Sequence, residues 1–375
     1  MIFEQLLKRT NGKLVIVIDE FQLIIKNPTS LISDITTILK RAKQNEFEVM
    51  FLLCSSSISF VENSMVKKIG MAAYEITGFL KIKEQNFRDL VQHFPRFSME
   101  QCVELYSILG GVHGLWDYMD DSLTIEENII QHILKKGCFL REEGSRYVSS
   151  ELREMSVYNT ILSALANGKR KLNDLYACTG FSRAKISVYL KNLMELEIVE
   201  KVFSFDTEGR NHTQKGIYKI SNHYVFFWYK YVYANLSKLE MMEEKEFYVK
   251  YIAPTFKEYV SEFFPDVCKE FLEEKNARKQ LPIEFEKIGI WVGKVGTIDI
   301  LAMDKNQNAV IAYCHWSKTR MRYDDVEWLT FCASKAKVKA EYVYLFSAGS
   351  FDEQISLEAK VKNNIKLIDI SMLKS

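Results

Sequence analysis

Glycine and proline are scarce in this 375-residue chain, at 16 and 5 residues. That excludes collagen-like repeats, a linker-rich chain and loop-dominated solenoids. Cysteine is present but unorganised: seven residues, without paired spacing, make neither a disulfide framework nor a zinc ribbon. They read as reduced thiols, and a cytoplasmic protein is the expectation. Net charge is nearly absent. Fifty basic residues face 49 acidic ones, for a total of +1. No global field therefore recruits nucleic acid or membrane, and any basic patch must be local. The N-terminal residues lack the apolar centre of a signal peptide. No apolar run approaches the ~20 residues of a membrane helix; the most suggestive, Tyr224 to Tyr233, is short and contains Lys230.

What is present is core material. The chain is 47% hydrophobic, with 24 Phe and 19 Tyr, which excludes a mostly disordered protein. Its length exceeds what one core serves, so several domains are expected.

The pattern along the chain is that of an α/β multidomain protein. Leu14 to Ile18 and Val49 to Leu53 are short apolar runs typical of buried parallel strands, with a helix between them carrying Leu31, Ile35, Ile38, Leu39 and Ala42. Residues 84–136 look helical. A second unit follows near Leu152: a helix with Val157, Ile161, Leu162 and Leu165, a short helix, the turn Thr179-Gly180-Phe181, and a helix opened by Ser182. Strands at Ile198 to Phe205 and Ile217 to Ile220 complete the order of a winged helix-turn-helix. Residues 221–280 are helical and aromatic. Residues 283–375 alternate again, with strands near Ile283, at Thr297 to Met303, Ala309 to Cys314, Glu341 to Phe346 and Ile365 to Ile368, which predicts a mixed sheet.

Three groups of residues could carry chemistry. The first is the apolar run ending in Asp19 and Glu20. At a strand end such a pair can hold magnesium through Asp19 and orient a water through Glu20, as in Walker B, with Ser55 and Ser56 after the next strand as γ-phosphate sensors. Acids at the rim of any buried sheet are the plain alternative. The phosphate cradle G-x-x-x-x-G-K-[ST] has no counterpart: Gly12-Lys13, Gly168-Lys169 and Gly293-Lys294 each lack the required neighbours.

The second group is basic. Between Ala166 and Lys191 stand Lys169, Arg170, Lys171, Arg183, Lys185 and Lys191, against Asp174 alone. Arg183, Lys185, Ser187 and Lys191 avoid the apolar face of their helix and would meet a major groove, while Arg210, His212 and Lys215 in the wing would reach phosphate. The plain alternative is a solvated helix face in a domain used for packing. The aromatics of Tyr224 to Tyr233 invite base stacking, but aromatics on every face of a helix predict burial.

The third group emerges from a resemblance. VIVIDEFQ, FLLCSSSISFVE, GGVHGLWDYM, the winged helix, GIYKISNHYVFFWYKYVYANLSKLE and KIGIWVGKVGTIDILAMD followed by AYCHW stand in an order that resembles the archaeal-type ATPases of prokaryotes, which carry a C-terminal domain related to restriction endonucleases. The resemblance covers essentially the whole chain. It implies an N-terminally truncated P-loop ATPase-like segment with a helical lid (1–148), a winged helix (149–220), a helical connector (221–280) and an endonuclease-like α/β domain (281–375). It also implies double-stranded DNA as a partner.

The sequence departs from the family in three places. The first strand and P-loop are missing, and no basic residue answers the family's around Met71 to Tyr74. Where the family shows Glu-Cys-Lys-Trp, this chain has Tyr313-Cys314-His315-Trp316; only Asp299 matches the nuclease motif. Tyrosine cannot replace a carboxylate at a hard metal, so Asp299, Tyr313 and His315 form a degenerate site unless Lys318 or Glu286 has taken over a role.

The leading expectation is a DNA-associated protein with half an ATP site and no working nuclease, needing no cofactor as it stands. In the alternative, sequence upstream of Met1 supplies the P-loop, and the chain is an ATP- and magnesium-dependent DNA-processing enzyme with Asp19 and Asp299 as metal ligands. A third reading is a protein-interaction module of a mobile element or defence system, with a partner protein or a second copy of the chain.

Overall fold

The computed structural model describes residues 5, 9–10, 13–25, 29–149, 152–207 and 216–374. Contacts divide the chain into two units, residues 1–83 with 191–196 and residues 84–190 with 197–375.

In the first unit, β1 (Lys13–Ile18) and β2 (Glu48–Leu53) pair in parallel, Leu14 opposite Val49 and Ile18 opposite Leu53. Helix α1 (Thr29–Gln44) makes the crossover that parallel neighbours require. The continuous apolar runs predict strands buried on both faces; the structure covers one. Ile18, Phe51 and Leu53 pack on a core of Phe21, Ile35 and Phe60, while Val15 and Val17 are each 59% exposed. Alternating exposure replaces full burial because no second layer lies over that face among the described residues.

The second unit begins with α2 (Phe87–His93) and α3 (Met99–Leu109), each opened by a capping box, Asn86 with Asp89 and Ser98 with Gln101. Gly110 and Gly111 end α3. A Cβ on Gly111 would lie 1.9 Å from the Gln85 carbonyl oxygen, so the close approach of residues 84–86 needs glycine there. Helix α4 (Phe139–Ser149) follows.

The winged helix consists of α5 (Met155–Ala166), α6 (Leu172–Thr179), α7 (Arg183–Glu195), β3 (Val199–Val202) and β4 (Ile217–Ile220). Ile161, Leu162, Leu175, Ile186 and Leu190 are buried. Gly180, at φ +70°, closes α6. The Ser182 hydroxyl caps α7 by accepting from the Lys185 amide at 3.2 Å. β3 and β4 are antiparallel, Val199 opposite Ile220.

The aromatic stretch starts in α8 (His223–Phe227), and its buried rings take backbone partners from α4. The Tyr224 hydroxyl donates to the Leu140 carbonyl and the Trp228 indole to that of Arg141 at 2.8 Å. Burial, not base stacking, is what these rings do. Helices α9 (Ala253–Ser261) and α10 (Phe264–Ala277) continue the connector.

The C-terminal sheet has the order β5 (Lys287–Val292), β6 (Thr297–Met303), β7 (Ala309–His315), β8 (Ala340–Ser347), β9 (Ile365–Asp369), numbered after β4. It is mixed: β5, β6 and β7 are antiparallel neighbours, and β7, β8 and β9 are parallel. Helices α11 (Tyr323–Ala336) and α12 (Glu353–Val361) connect the parallel strands. Its first strand starts at Lys287, not near Ile283. The Asn276 side chain donates to the Phe285 carbonyl and accepts from its amide, both at 3.0 Å, and so ties the intervening stretch to α10.

The wing and this sheet are joined. Phe205, beyond β3, donates its amide to the Ile290 carbonyl at 2.8 Å and buries its ring beside Trp291 and Ile298. Lys287 Nζ donates to the Phe205 carbonyl at 2.6 Å.

Candidate nucleic-acid interface and two polar clusters

Helix α7 turns Ile186 and Leu190 inward, which leaves Arg183, Lys185 and Ser187 exposed near its capped N-terminus. The two cations do not hang free in water. Arg183 Nε donates to Asn173 Oδ1 at 3.0 Å, and its guanidinium lies 4.3 Å from the Tyr176 ring centre. Lys185 Nζ sits 4.8 Å from the Phe181 ring centre. Such cation–π support restrains long side chains before any ligand arrives. Lys191, two turns on, is 3.7 Å from Glu195 and solvent-exposed. Arg170 leaves the basic surface: it pairs with Glu262 of the connector. Arg210, His212 and Lys215 lie outside the described residues.

At the C-terminal ends of β1 and β2 the structure brings Glu20 and Ser56 together. Ser56 Oγ donates to Glu20 Oε2 at 2.8 Å, and the Gln22 amide donates to the same oxygen and, at 3.0 Å, to Ser56 Oγ. The bonds from Ser56 and then Gln22 hold the Glu20 carboxyl below its usual range. Asp19 Oδ1 accepts from the Glu20 amide at 2.9 Å. Ser55 turns the other way: its hydroxyl accepts from the Ser57 amide at 3.1 Å. Glu20 takes a left-handed conformation, φ 46° and ψ 42°, so the chain reverses there. Gln22 is the member of this cluster that sequence reasoning passes over, although it stands in the VIVIDEFQ stretch.

In the C-terminal sheet, β6 and β7 are neighbours in a register that sets Ile300 opposite Ala312, and Asp299 follows at the strand end beside Tyr313. The Asp299 carboxylate accepts from the Cys314 amide at 2.9 Å. Burial pushes its pKa up to about 6, against the pull of that amide. Burial, and the charges of Asp325 and Asp299, push the Tyr313 phenol up to about 12. His315 stacks on Tyr313 with ring centres 6.3 Å apart, and its Nε2 lies 3.3 Å from the Thr319 carbonyl.

Neither migrated ligand is in place. Glu286 pairs with Lys305, and its amide donates to the Met303 carbonyl at the far end of β6; Lys318 pairs with Glu100. One half-buried carboxyl beside a neutral phenol does not fit a hydrated divalent cation, which asks for several charged oxygens. Among the described residues, no group of three or more His, Cys, Asp and Glu is arranged to hold a metal. All seven cysteines are free thiols. No helix among the described residues is long and apolar enough to cross a membrane.

Comparison with known proteins matches two parts of the chain. Residues 228–327 match the domain family DUF234, archaeal and bacterial proteins of unknown function. Residues 159–201, from α5 to β3, match the arsR family of bacterial regulatory proteins. An uncharacterised protein of Methanocaldococcus jannaschii is 29% identical over 317 residues, spanning 82% of this chain and 69% of the relative. A Vibrio cholerae protein of known crystal structure aligns over 97% of this chain and 88% of its own, at 11% identity and a TM-score of 0.23, too low for a shared fold to be read from it. The chain is thus mixed α/β, contains a helix-turn-helix similar to those of arsR-type regulators, and shares its connector and the first part of its C-terminal sheet with a family of unknown function.

Proposed function

We propose that this chain is a double-stranded DNA-binding protein, built on an archaeal-type ATPase plan, in which neither the nucleotide site nor the endonuclease-like domain performs its chemistry. The observation that carries the reading is the pair Arg183 and Lys185, exposed on the capped first turn of α7 and braced by Tyr176 and Phe181, within a segment similar to the arsR family. In this reading α7 enters the major groove, Arg183 and Lys185 meet phosphates and base edges, and Ser187 and Lys191 extend the contact. The wing residues Arg210 and Lys215 add phosphate contacts. A gel-shift titration of a mixed-sequence duplex, run across a salt series, tests it. Binding should weaken steeply with salt, and replacing Arg183 and Lys185 by alanine should flatten the log–log slope by about 2, near 0.9 per lost phosphate contact. Salt-insensitive binding, or a variant that binds like the parent, would leave α7 with a packing role.

A second reading is favoured by the Glu20–Ser56 bond, which keeps the acid and the polar sensor in contact at the strand ends. In it, ATP and magnesium bind once a phosphate cradle is supplied from outside these 375 residues. Asp19 would then hold the metal and Glu20 would orient water. Calorimetry with ATP and magnesium on the chain joined to an in-frame upstream segment carrying G-x-x-x-x-G-K-[ST] separates the two: absence of heat supports the first, a micromolar dissociation constant the second.

A further inference from the structure

Helix α11 covers the C-terminal sheet with Val326, Leu329, Cys332 and Ala333. Its opposite face carries two aromatic rings that the core does not use. Trp328 is 46% exposed and Phe331 40%, and they stack with centres 5.5 Å apart and planes 29° apart. Lys335 extends over Phe331, its Nζ 5.0 Å from the ring centre. The β5–β6 turn presses on Trp328: a Cβ on Gly296 would lie 2.8 Å from its ring and 2.9 Å from the Cys332 sulfur. That turn carries exposed Val295 and Lys294. Glu327 and, one turn before Trp328, Asp324, which pairs with Arg322, are acids on the same helix surface.

We propose that Trp328 and Phe331, with Lys335 at their margin, form a platform for single-stranded DNA. The argument is one of chemistry and rigidity. Exposed, stacked rings offer unpaired bases a π-face, and the Lys335 cation beside Phe331 meets the phosphates that accompany those bases. A duplex cannot use such a surface, because its bases already stack on each other. The close packing of Gly296 fixes the Trp328 ring in advance, which lowers the ordering cost of binding. The location also fits. The Val292 amide, where β5 enters the turn, donates to Ser204 Oγ at 3.0 Å, so the stem of the wing runs alongside the strand that leads to the platform. The proposal does not depend on groove docking by α7.

The chain contains five tryptophans, and Trp116, Trp228, Trp291 and Trp316 are buried at 1%, 3%, 6% and 8% exposure. Trp328 is therefore the tryptophan on which a ligand can stack directly, and the difference between the parent and Trp328→Phe isolates its share of the emission. Titrating the full chain with a single-stranded oligo(dT) 12-mer at low salt should quench that emission. With a fluorescently labelled 12-mer read by anisotropy, Trp328→Ala and Phe331→Ala should each weaken binding roughly tenfold, and Lys335→Gln should reduce the salt slope by about 0.7. Replacing Arg183 and Lys185 by alanine should cost duplex affinity far more than 12-mer affinity, and Trp328→Ala the reverse, so loss of duplex binding and loss of this site are separable. Far-UV circular dichroism checks that each surface variant is folded. A folded Trp328→Ala variant that binds the 12-mer as well as the parent overturns the proposal. So does a parent chain that shows no quenching, or one that sediments as a dimer, ignores the 12-mer and becomes monomeric on Trp328→Ala, which would make the patch a protein interface.

Discussion

Glu20 and Ser56, thirty-six residues apart, are joined by a 2.8 Å hydrogen bond across the ends of two parallel strands. The bond exists because β1 and β2 pair in register and their following residues turn toward one another. It has a measurable electrostatic consequence. Ser56 contributes most to holding the Glu20 carboxyl low. Ser56→Ala should raise the Glu20 midpoint in a carbon-detected NMR titration. An unchanged midpoint would mean that the two groups do not meet in solution.

Asp299 yields a prediction of opposite sign. Its folded pKa of about 6 exceeds the ordinary 3.8, so between these values the folded state holds a proton that the unfolded state releases. Stability should therefore fall as pH rises from 4 to 6 and level off above, by up to about 3 kcal/mol from this group. Asp299→Asn removes the ionisation and keeps an acceptor for the Cys314 amide. Relative to the parent, the variant should gain stability over that pH range. Urea denaturation at pH 4 and pH 7 measures it, and an equal difference at both would refute the assignment.

Gly111 should not tolerate a side chain. The Gln85 carbonyl occupies the position that a Cβ would need, and the Gln85 amide donates to the Gly111 carbonyl at 2.8 Å. Gly111→Ala should destabilise the protein by roughly 1–3 kcal/mol, the usual range for forced overpacking, measured by urea denaturation. A neutral substitution would show that residues 84–86 detach readily.

Phe205 belongs by sequence to the wing and by packing to the C-terminal sheet. Phe205→Ala should cost about 3–5 kcal/mol and accelerate amide exchange in β5 and β6. Protection lost only within β3 and β4 would place the ring outside the sheet's core.

The order of elements was legible from apolar periodicity, which is a local property. Ser182 as a cap, Gly180 as a stop and the two wing strands each announce themselves within a few residues. The aromatic run of 224–233 was equally readable, since aromatics on all sides leave no face for solvent. What resisted reading depends on distant partners. Arg170 counts as a basic residue until Glu262, 92 positions away, takes it. Val15 and Val17 look like core until their exposure is seen. The start of β5 shifts because Asn276 claims Phe285. The Tyr176 and Phe181 supports of Arg183 and Lys185 are close in sequence, yet turn geometry, not spacing, aims them.

The bonds from Phe205 and Lys287 across the wing stem give the molecule a mechanical property. A wing on a free hinge would dissipate any pull on it within its own loop. Here the stem is stitched to a strand edge and anchored by a buried ring. Torque applied at α7 would pass through that seam into the C-terminal sheet as a twist of its outer strand.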